Sequence, residues 1–373
     1  MARIWLLGLV SLSLLGGCYA PSVTDGQFTC ALTKLCPSGL SCLEGRCVHP
    51  GSAFDLGLYV DIYSGRLGDL DLHDQSGVLS INTETGQWLL NNTEVLAAAT
   101  PGWKRVPQAG GPPASVFPFR NLVLPSTLQI LAAKTSPVSA LVLTAQQTIQ
   151  FDASLDWTGL GAAGAELREA RGQDVSGGSS GGATAAGALN STGTSGGGGG
   201  GHGTAGQNGA GSGGGAGGAS FGDPKLVPLQ FGAGGGGGAG ITAVDQKARG
   251  GAGGPAVALV TVGEIVFGGS IDVSGAAGQD VAVGFPSDAG SGGGGAGGSI
   301  LLSAAKITLA ATHKLRAHGG VGGVPANQGG VGGVGGVGRI YVTTPSPSYA
   351  VGLSPLAEPT AIIGTEQLVG FPQ

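Results

Sequence analysis

Few residues in this chain combine the types and spacing that catalysis or metal binding needs. The densest acidic cluster is Gly68-Asp69-Leu70-Asp71-Leu72-His73-Asp74, whose alternate carboxylates are hard oxygen donors of the kind Ca²⁺ takes. The same alternation fits a strand with an acidic, solvated face and Leu70 and Leu72 turned inward, and that reading is preferred. Gly201-His202-Gly203-Thr204-Ala205-Gly206 has the G-x-G-x-x-G spacing of a pyrophosphate cradle, and Gly177-Gly178-Ser179-Ser180-Gly181 has that of a nucleophile elbow. Both chemistries need a hydrophobic strand before the motif and a helix after it, whereas glycine-rich sequence surrounds the first and the second lies in a low-complexity block. His49, His73, His202, His313 and His318 show no metal-ligand spacing, and surface or turn roles are expected for His313 and His318. Asp152, Asp156 and Asp272 lie near the third strands of a three-strand repeat, and polysaccharide lyases and hydrolases built on parallel β-helices gather carboxylates in a groove. No general acid or base accompanies them, so the expectation is no catalytic set, no metal and no cofactor.

The thiols are more informative. Met1-Ala2-Arg3 precedes an apolar run from Ile4 to Leu15, a secretory signal too short for a comfortable membrane span. The run ends in Leu15-Gly16-Gly17-Cys18, where small residues admit a peptidase and the Cys18 thiol can take a thioether lipid. This pattern resembles the lipobox of bacterial lipoproteins. It implies Cys18 as the acylated first residue of the mature chain, with several acyl chains, palmitate among them, as its membrane anchor. Tyr19 stands where an inner-membrane retention signal would place Asp, which favours the outer membrane, on its periplasmic or cell-surface face. The other cysteines, Cys30, Cys36, Cys42 and Cys47, have the spacing C-x5-C-x5-C-x4-C, with Pro37, Gly39 and Gly45 between them. In an exported chain these read as two disulfides, with three connectivities open, rather than a zinc knuckle built from C-x2-C pairs. The segment from Cys36 to Val48 resembles small growth-factor-like knots, a protease-resistant spacer beside the anchor.

The elements that follow are strands. From Phe54 to about Pro107 the apolar residues alternate between turn signals such as Ser64-Gly65 and Thr85-Gly86, which predicts short antiparallel strands. After Phe117 a triplet repeats. Ala140-Leu-Val-Leu143, Thr148-Ile-Gln-Phe151 and Ser154-Leu-Asp-Trp157 return as 258–261, 264–267 and 270–273, and again as 299–302, 306–309 and 313–316. Three short strands per copy match one coil of a parallel β-helix, which buries its apolar residues only by stacking on its neighbours. On this reading Val142, Ile149 and Leu155 point inward, with Val260, Ile265 and Ile271, then Leu301, Ile307 and Leu315, stacked above them. The predicted fold is all-β: a short right-handed parallel β-helix with long glycine-rich insertions, preceded by a small disulfide knot and antiparallel strands. The boundaries are 1–17 signal peptide, 18–50 lipid-anchored Cys-rich segment, 51–115 antiparallel strands or cap, 116–344 glycine-rich β-helix and 345–373 Pro-containing tail.

Glycine contributes 79 of 373 residues, concentrated in Gly177–Gly254, Gly290–Gly298 and Gly319–Gly338. In the last block Gly329-Gly-Val-Gly-Gly-Val-Gly-Gly-Val337 has a period of three, which on a polyproline-II-like strand puts Val331, Val334 and Val337 along one edge. Ordered polyglycine-II-like packing and a flexible linker both fit such blocks. The island Phe221-Gly-Asp-Pro-Lys-Leu-Val-Pro-Leu-Gln-Phe231 favours order. A formal charge of −5 with 10% charged residues excludes the basic patch of a nucleic-acid binder, and 41% hydrophobic residues suffice for a core.

The stretch 119–159, Gly197-Gly-Gly-Gly-Gly-His202-Gly-Thr-Ala-Gly206, 221–229 and Gly292-Gly-Gly-Gly-Ala-Gly-Gly-Ser-Ile300 together resemble glycine-rich β-helical lipoproteins of myxobacteria and their relatives. The resemblance implies architecture and envelope location, with no activity to carry over. The functional expectation is a non-enzymatic envelope lipoprotein for surface display, adhesion or matrix and polysaccharide binding. Its partner, a polysaccharide or a protein, would meet the glycine-rich loops, and no nucleic acid is expected. A carbohydrate-active β-helix enzyme is the alternative.

Overall fold

The computed structural model describes residues 65–108, 110–133, 139–165, 195–239, 248–261, 263–281, 289–310, 313–325 and 329–344. It also places the backbone of four short strands: β1 (Ser41–Leu43), β2 (Arg46–Val48), β19 (Ala357–Glu358) and β20 (Ile362–Gly364). Between them run β3 (Asp69–Asp71), β4 (Gly77–Ile81), β5 (Trp88–Leu90), β6 (Thr93–Leu96), β7 (Lys104–Val106), β8 (Ala114–Leu124), β9 (Leu128–Ala132), β10 (Ala140–Phe151) and β11 (Ser154–Asp156). The series continues with β12 (Ala256–Thr261), β13 (Glu264–Phe267), β14 (Ser270–Asp272), β15 (Ser299–Ser303), β16 (Lys306–Leu309), β17 (Lys314–Arg316) and β18 (Arg339–Thr343). No helix occurs among the described residues.

The expected β-helix is not what forms. Apart from the two-stranded β1–β2 pair, the strands sort into a ten-stranded and an eight-stranded sheet, each mixing parallel and antiparallel pairs, with no closed or solenoid β-helix. The first two strands of each triplet lie in one sheet. β10 pairs with β12 from Leu141 to Ala145 and then with β13 from Thr148 to Phe151. A helical coil would need a sharp corner there. Gln146-Gln147 offers neither glycine nor proline, and β10 takes only a register irregularity against β8 between Ala145 and Thr148. The third strands, β11, β14 and β17, stack in the eight-stranded sheet. β4–β5–β6 and β7–β8 supply the antiparallel pairs, while β3 and β4 run parallel to β8 and β9.

Side-chain ladders between the two sheets form the main core. Leu122, Ile149, Ile265 and Ile307 are in register and buried, as are Leu79, Ile130, Leu155, Ile271 and Leu315 opposite them. Phe151 and Phe267 stack at 5.4 Å, and at the N-terminal end Trp88 meets Phe117 at 5.1 Å and Phe119 at 5.5 Å. Burying each such side chain stabilises the fold by about 1.5–3 kcal/mol.

One part of the expected register is corrected. Val142 pairs with Ala258 and then Leu301, while Val260 pairs with Thr144. Val142, Val260 and Leu301 belong to a second buried cluster with Leu226, Leu229 and Phe231. Leu141, Leu143, Val257, Leu259, Ile300 and Leu302 face the main core instead. A strand turns successive side chains to opposite faces, so a one-residue error in phase reverses every assignment on it.

Candidate functional site: the glycine lattice and its valine face

Segment 289–298 shows how the glycine blocks are built. Three successive N–H groups, of Gly293, Gly294 and Gly295, donate to Gly236, Gly333 and Ala276, each at 2.9 Å. The carbonyls of the same residues accept from Gly251 (2.8 Å), Gly200 (2.9 Å) and Gly320 (2.7 Å). Those six bonds reach six different chain segments: 232–239, 330–338, 273–281, 248–254, 195–203 and 317–324. Only a backbone turning once every three residues can aim consecutive peptides in three directions, which is polyproline-II geometry. The six segments also bond to one another in a closed ring around 289–298, whose residues are all buried. Of the two readings open from sequence, ordered packing is the one found here, rather than a linker.

Glycine is required by close approach. A Cβ on Gly293 would run into the carbonyl of Gly198, and one on Gly294 into that of Gly320. The side chain that the block does admit is instructive. His202 is completely buried, its Nδ1 donating to the Gly297 carbonyl at 2.8 Å and its ring 5.0 Å from Phe221. Burial, reinforced by the charge of Arg339, pushes its pKa down to about 4.

The outer row carries side chains. Segments 317–324 and 330–338 run antiparallel, with Gly332 N bonded to Gly323 O at 3.1 Å and Gly335 N to Gly320 O at 2.9 Å. That register sets Val331 beside Val324 and Val334 beside Val321. Their exposures of 46%, 61%, 36% and 64% leave an unusual row of solvent-facing β-branched residues. Val337 is half-buried. Along each segment the valines repeat at roughly 9 Å, three residues at about 3.1 Å each. The predicted edge of Val331, Val334 and Val337 is thus one rail of two, and the second was missed although Val321-Gly-Gly-Val324 carries the same period. The other edges of segment 330–338 lie against neighbouring segments and exchange backbone hydrogen bonds with them.

The other candidates do not converge. Asp69 faces Asn121 Nδ2 at 2.9 Å and Arg120 at 3.4 Å, while Asp71 accepts from His73 N and meets its Nδ1 at 2.9 Å. His73 Nε2 lies 2.9 Å from Asp74. The His73 contact lowers the Asp71 pKa, and Asp71 raises that of His73. Leu72 is buried beneath them. Among the described residues no group of His, Cys, Asp or Glu is arranged to hold a metal ion. Asp156 and Asp272 stack in register, but Asp156 accepts from Thr158 N (3.1 Å) and Oγ1 (2.8 Å), and Asp272 from Ser274 N (3.0 Å). Their oxygens cap turns. His313 is buried against Phe267 rather than on the surface, its Nδ1 facing the Ala310 carbonyl. The G-x-G-x-x-G residues 201–206 form the connection between two antiparallel lattice segments.

Cys18, Cys30, Cys36 and Ser179 lie outside the described residues. Cys42 and Cys47 have their backbones opposite one another in the β1–β2 hairpin. No helix among the described residues is long and apolar enough to cross a membrane. No family model, curated protein or solved structure matches this chain.

Proposed function

We propose that this protein is a non-enzymatic envelope lipoprotein, anchored in the outer membrane through acylated Cys18, that serves surface display or adhesion by binding matrix polysaccharide. The observation that carries this reading is the valine face. Four exposed valines on a lattice whose backbone is internally bonded give a stiff, repetitive apolar row, with Asp280 at its edge accepting from Val324 N at 2.7 Å. Such a surface costs little entropy to bring into contact, because its backbone is already ordered. The apolar valine side chains suit the C–H faces of sugar rings, and the carboxylate of Asp280 at the edge disfavours a polyanion. Contact is through side chains, because the interior peptide groups of the lattice are already bonded to one another.

The test has two arms. Cys18→Ser should move the protein from the membrane fraction to the soluble one and abolish palmitate labelling; labelling that survives removes the anchor. Val321→Asp with Val334→Asp should abolish sedimentation with extracted matrix polysaccharide while circular dichroism stays unchanged. Undiminished binding by the double variant removes the valine face from the proposal.

A further inference from the structure

Residues 221–231 cross the outer face of the ten-stranded sheet as a strap. Leu226, Leu229 and Phe231 are buried there against Val142, Ala258 and Leu301. Its distal half is tied by Leu229 N donating to Gln108 Oε1 at 3.0 Å, Gln230 Nε2 to Gly110 O at 2.9 Å, and Ser299 Oγ to Gln230 O at 2.6 Å. The entry is held differently. Phe221 N donates to the His202 carbonyl at 2.8 Å, Arg339 Nη2 donates to Phe221 O at 3.0 Å, and the Phe221 ring lies against the imidazole. His202 donates from Nδ1 to Gly297 O, which leaves Nε2 as the unprotonated nitrogen, buried and without a hydrogen-bond partner.

We propose that His202 is an acid-sensitive latch: protonation of its imidazole releases residues 221–231 from the sheet and uncovers the apolar strip beneath them. A proton on Nε2 would enter a completely buried site in which that nitrogen has no partner, and burial outweighs the Gly297 and Gly298 backbone groups that favour the charged ring. The charged groups facing the imidazole add to the cost. Arg339, from β18, repels a second cation, and Asp223 of the strap acts on Arg339 rather than on His202. Asp223 Oδ1 is itself engaged, accepting from Lys225 N at 2.6 Å.

The direction of the response follows from linkage. With the strap closed the His202 pKa is about 4, against an ordinary value of 6.5 when the ring meets water. The closed state therefore keeps its full advantage above pH 6.5 and loses it progressively as pH falls toward 4. At pH 4.5 this difference multiplies the opening equilibrium by roughly 70.

Hydrogen exchange of the full chain at pH 7.5 and 4.5, corrected for intrinsic rates, reads this directly. Opening of 221–231 should rise by about 70-fold while strands 140–151 and 299–303 keep their protection. His202→Gln, whose amide can donate to Gly297 O but does not titrate, should lose the rise, and Asp223→Asn should keep it. NMR titration of the wild-type imidazole provides a measurement that needs no variant, since its midpoint must coincide with that of strap opening. The proposal is overturned by an unchanged rise in His202→Gln, by a rise that depends on Asp223, or by the absence of any rise. It is equally overturned by sheet protection lost together with the strap, or by an imidazole that titrates near 6.5 with the strap closed.

Discussion

The two-sheet body and the glycine lattice solve the same problem by opposite means. In the body, side chains do most of the work: the Leu122–Ile149–Ile265–Ile307 ladder fills the space between sheets, and the hydrogen bonds only fix its register. In the lattice, peptides do the work, and segment 289–298 is held by six neighbours with scarcely a side chain among them. Ordering glycine costs roughly 0.5–1 kcal/mol more per residue than ordering alanine, while each hydrogen bond returns a net of only about 0.5–1.5 kcal/mol. A lattice of this kind is viable only if nearly every interior peptide is bonded, so it should be intolerant of any added atom. The body should tolerate a lost methyl far better than a gained charge.

The largest effect expected is in the body. Ile265→Asp places an unpaired charge in the middle of the ladder and should cost roughly 3–5 kcal/mol, whereas Ile265→Val should cost about 0.5–1.5. Urea denaturation of the two variants gives the ratio. Similar, small losses for both would mean that the ladder does not carry the body.

The complementary change belongs to the lattice. The backbone at Gly293 is compatible with alanine, since its φ is not in the left-handed region, and a tolerated Gly→Ala would stabilise by roughly 0.4–1 kcal/mol through the unfolded chain. The carbonyl of Gly198 reverses that sign. A rigid neighbour, bonded in its turn, cannot yield as a flexible side chain would, so Gly293→Ala should destabilise by about 1–3 kcal/mol. A stabilised Gly293→Ala in thermal denaturation would show that the lattice is slack.

The same contrast decides what could be read in the sequence. The strand triplets were legible because alternation survives in β13, β14, β16 and β17, whose outer faces are at least partly exposed. β12 and β15 are buried on both faces, because the strap covers the outer one, and alternation there no longer says which side is inward. Alternation alone therefore places Val142, Val260 and Leu301 in the wrong core. The shared sheet of β12 and β13 was invisible for a related reason: a strand that bends and a strand that turns a corner both show a brief break in apolar pattern. In the lattice, the period of three is visible only on an edge. Segment 330–338 shows it because one side of each turn faces water, while 289–298, surrounded on all sides, reduces to near-pure glycine. His202 gave no signal, since a lone histidine among glycines has no spacing to interpret.

The smallest stability effect should fall on the valine face, and it separates the two regions most sharply. A valine in the body fills space, so its loss leaves a cavity. Val321, Val324, Val331 and Val334 are exposed and belong to no core cluster. Replacing Val331 and Val334 by threonine keeps the β-branch and the volume but adds a hydroxyl to an exposed position, which should change stability by no more than about 0.5 kcal/mol. If the face works as proposed, polysaccharide binding should fall several-fold in the same protein, because each hydroxyl brings water that must be displaced on contact. The matched control is Val257→Thr, at a fully buried position of β12, where the hydroxyl is desolvated and a loss of roughly 1–3 kcal/mol is expected with binding intact in the folded fraction. Equal destabilisation at both sites would mean that the valine row packs against something and is not a free surface. Unchanged stability together with unchanged binding would leave the row as a lattice edge alone, where valine simply occupies the one side of each turn that has room for a side chain.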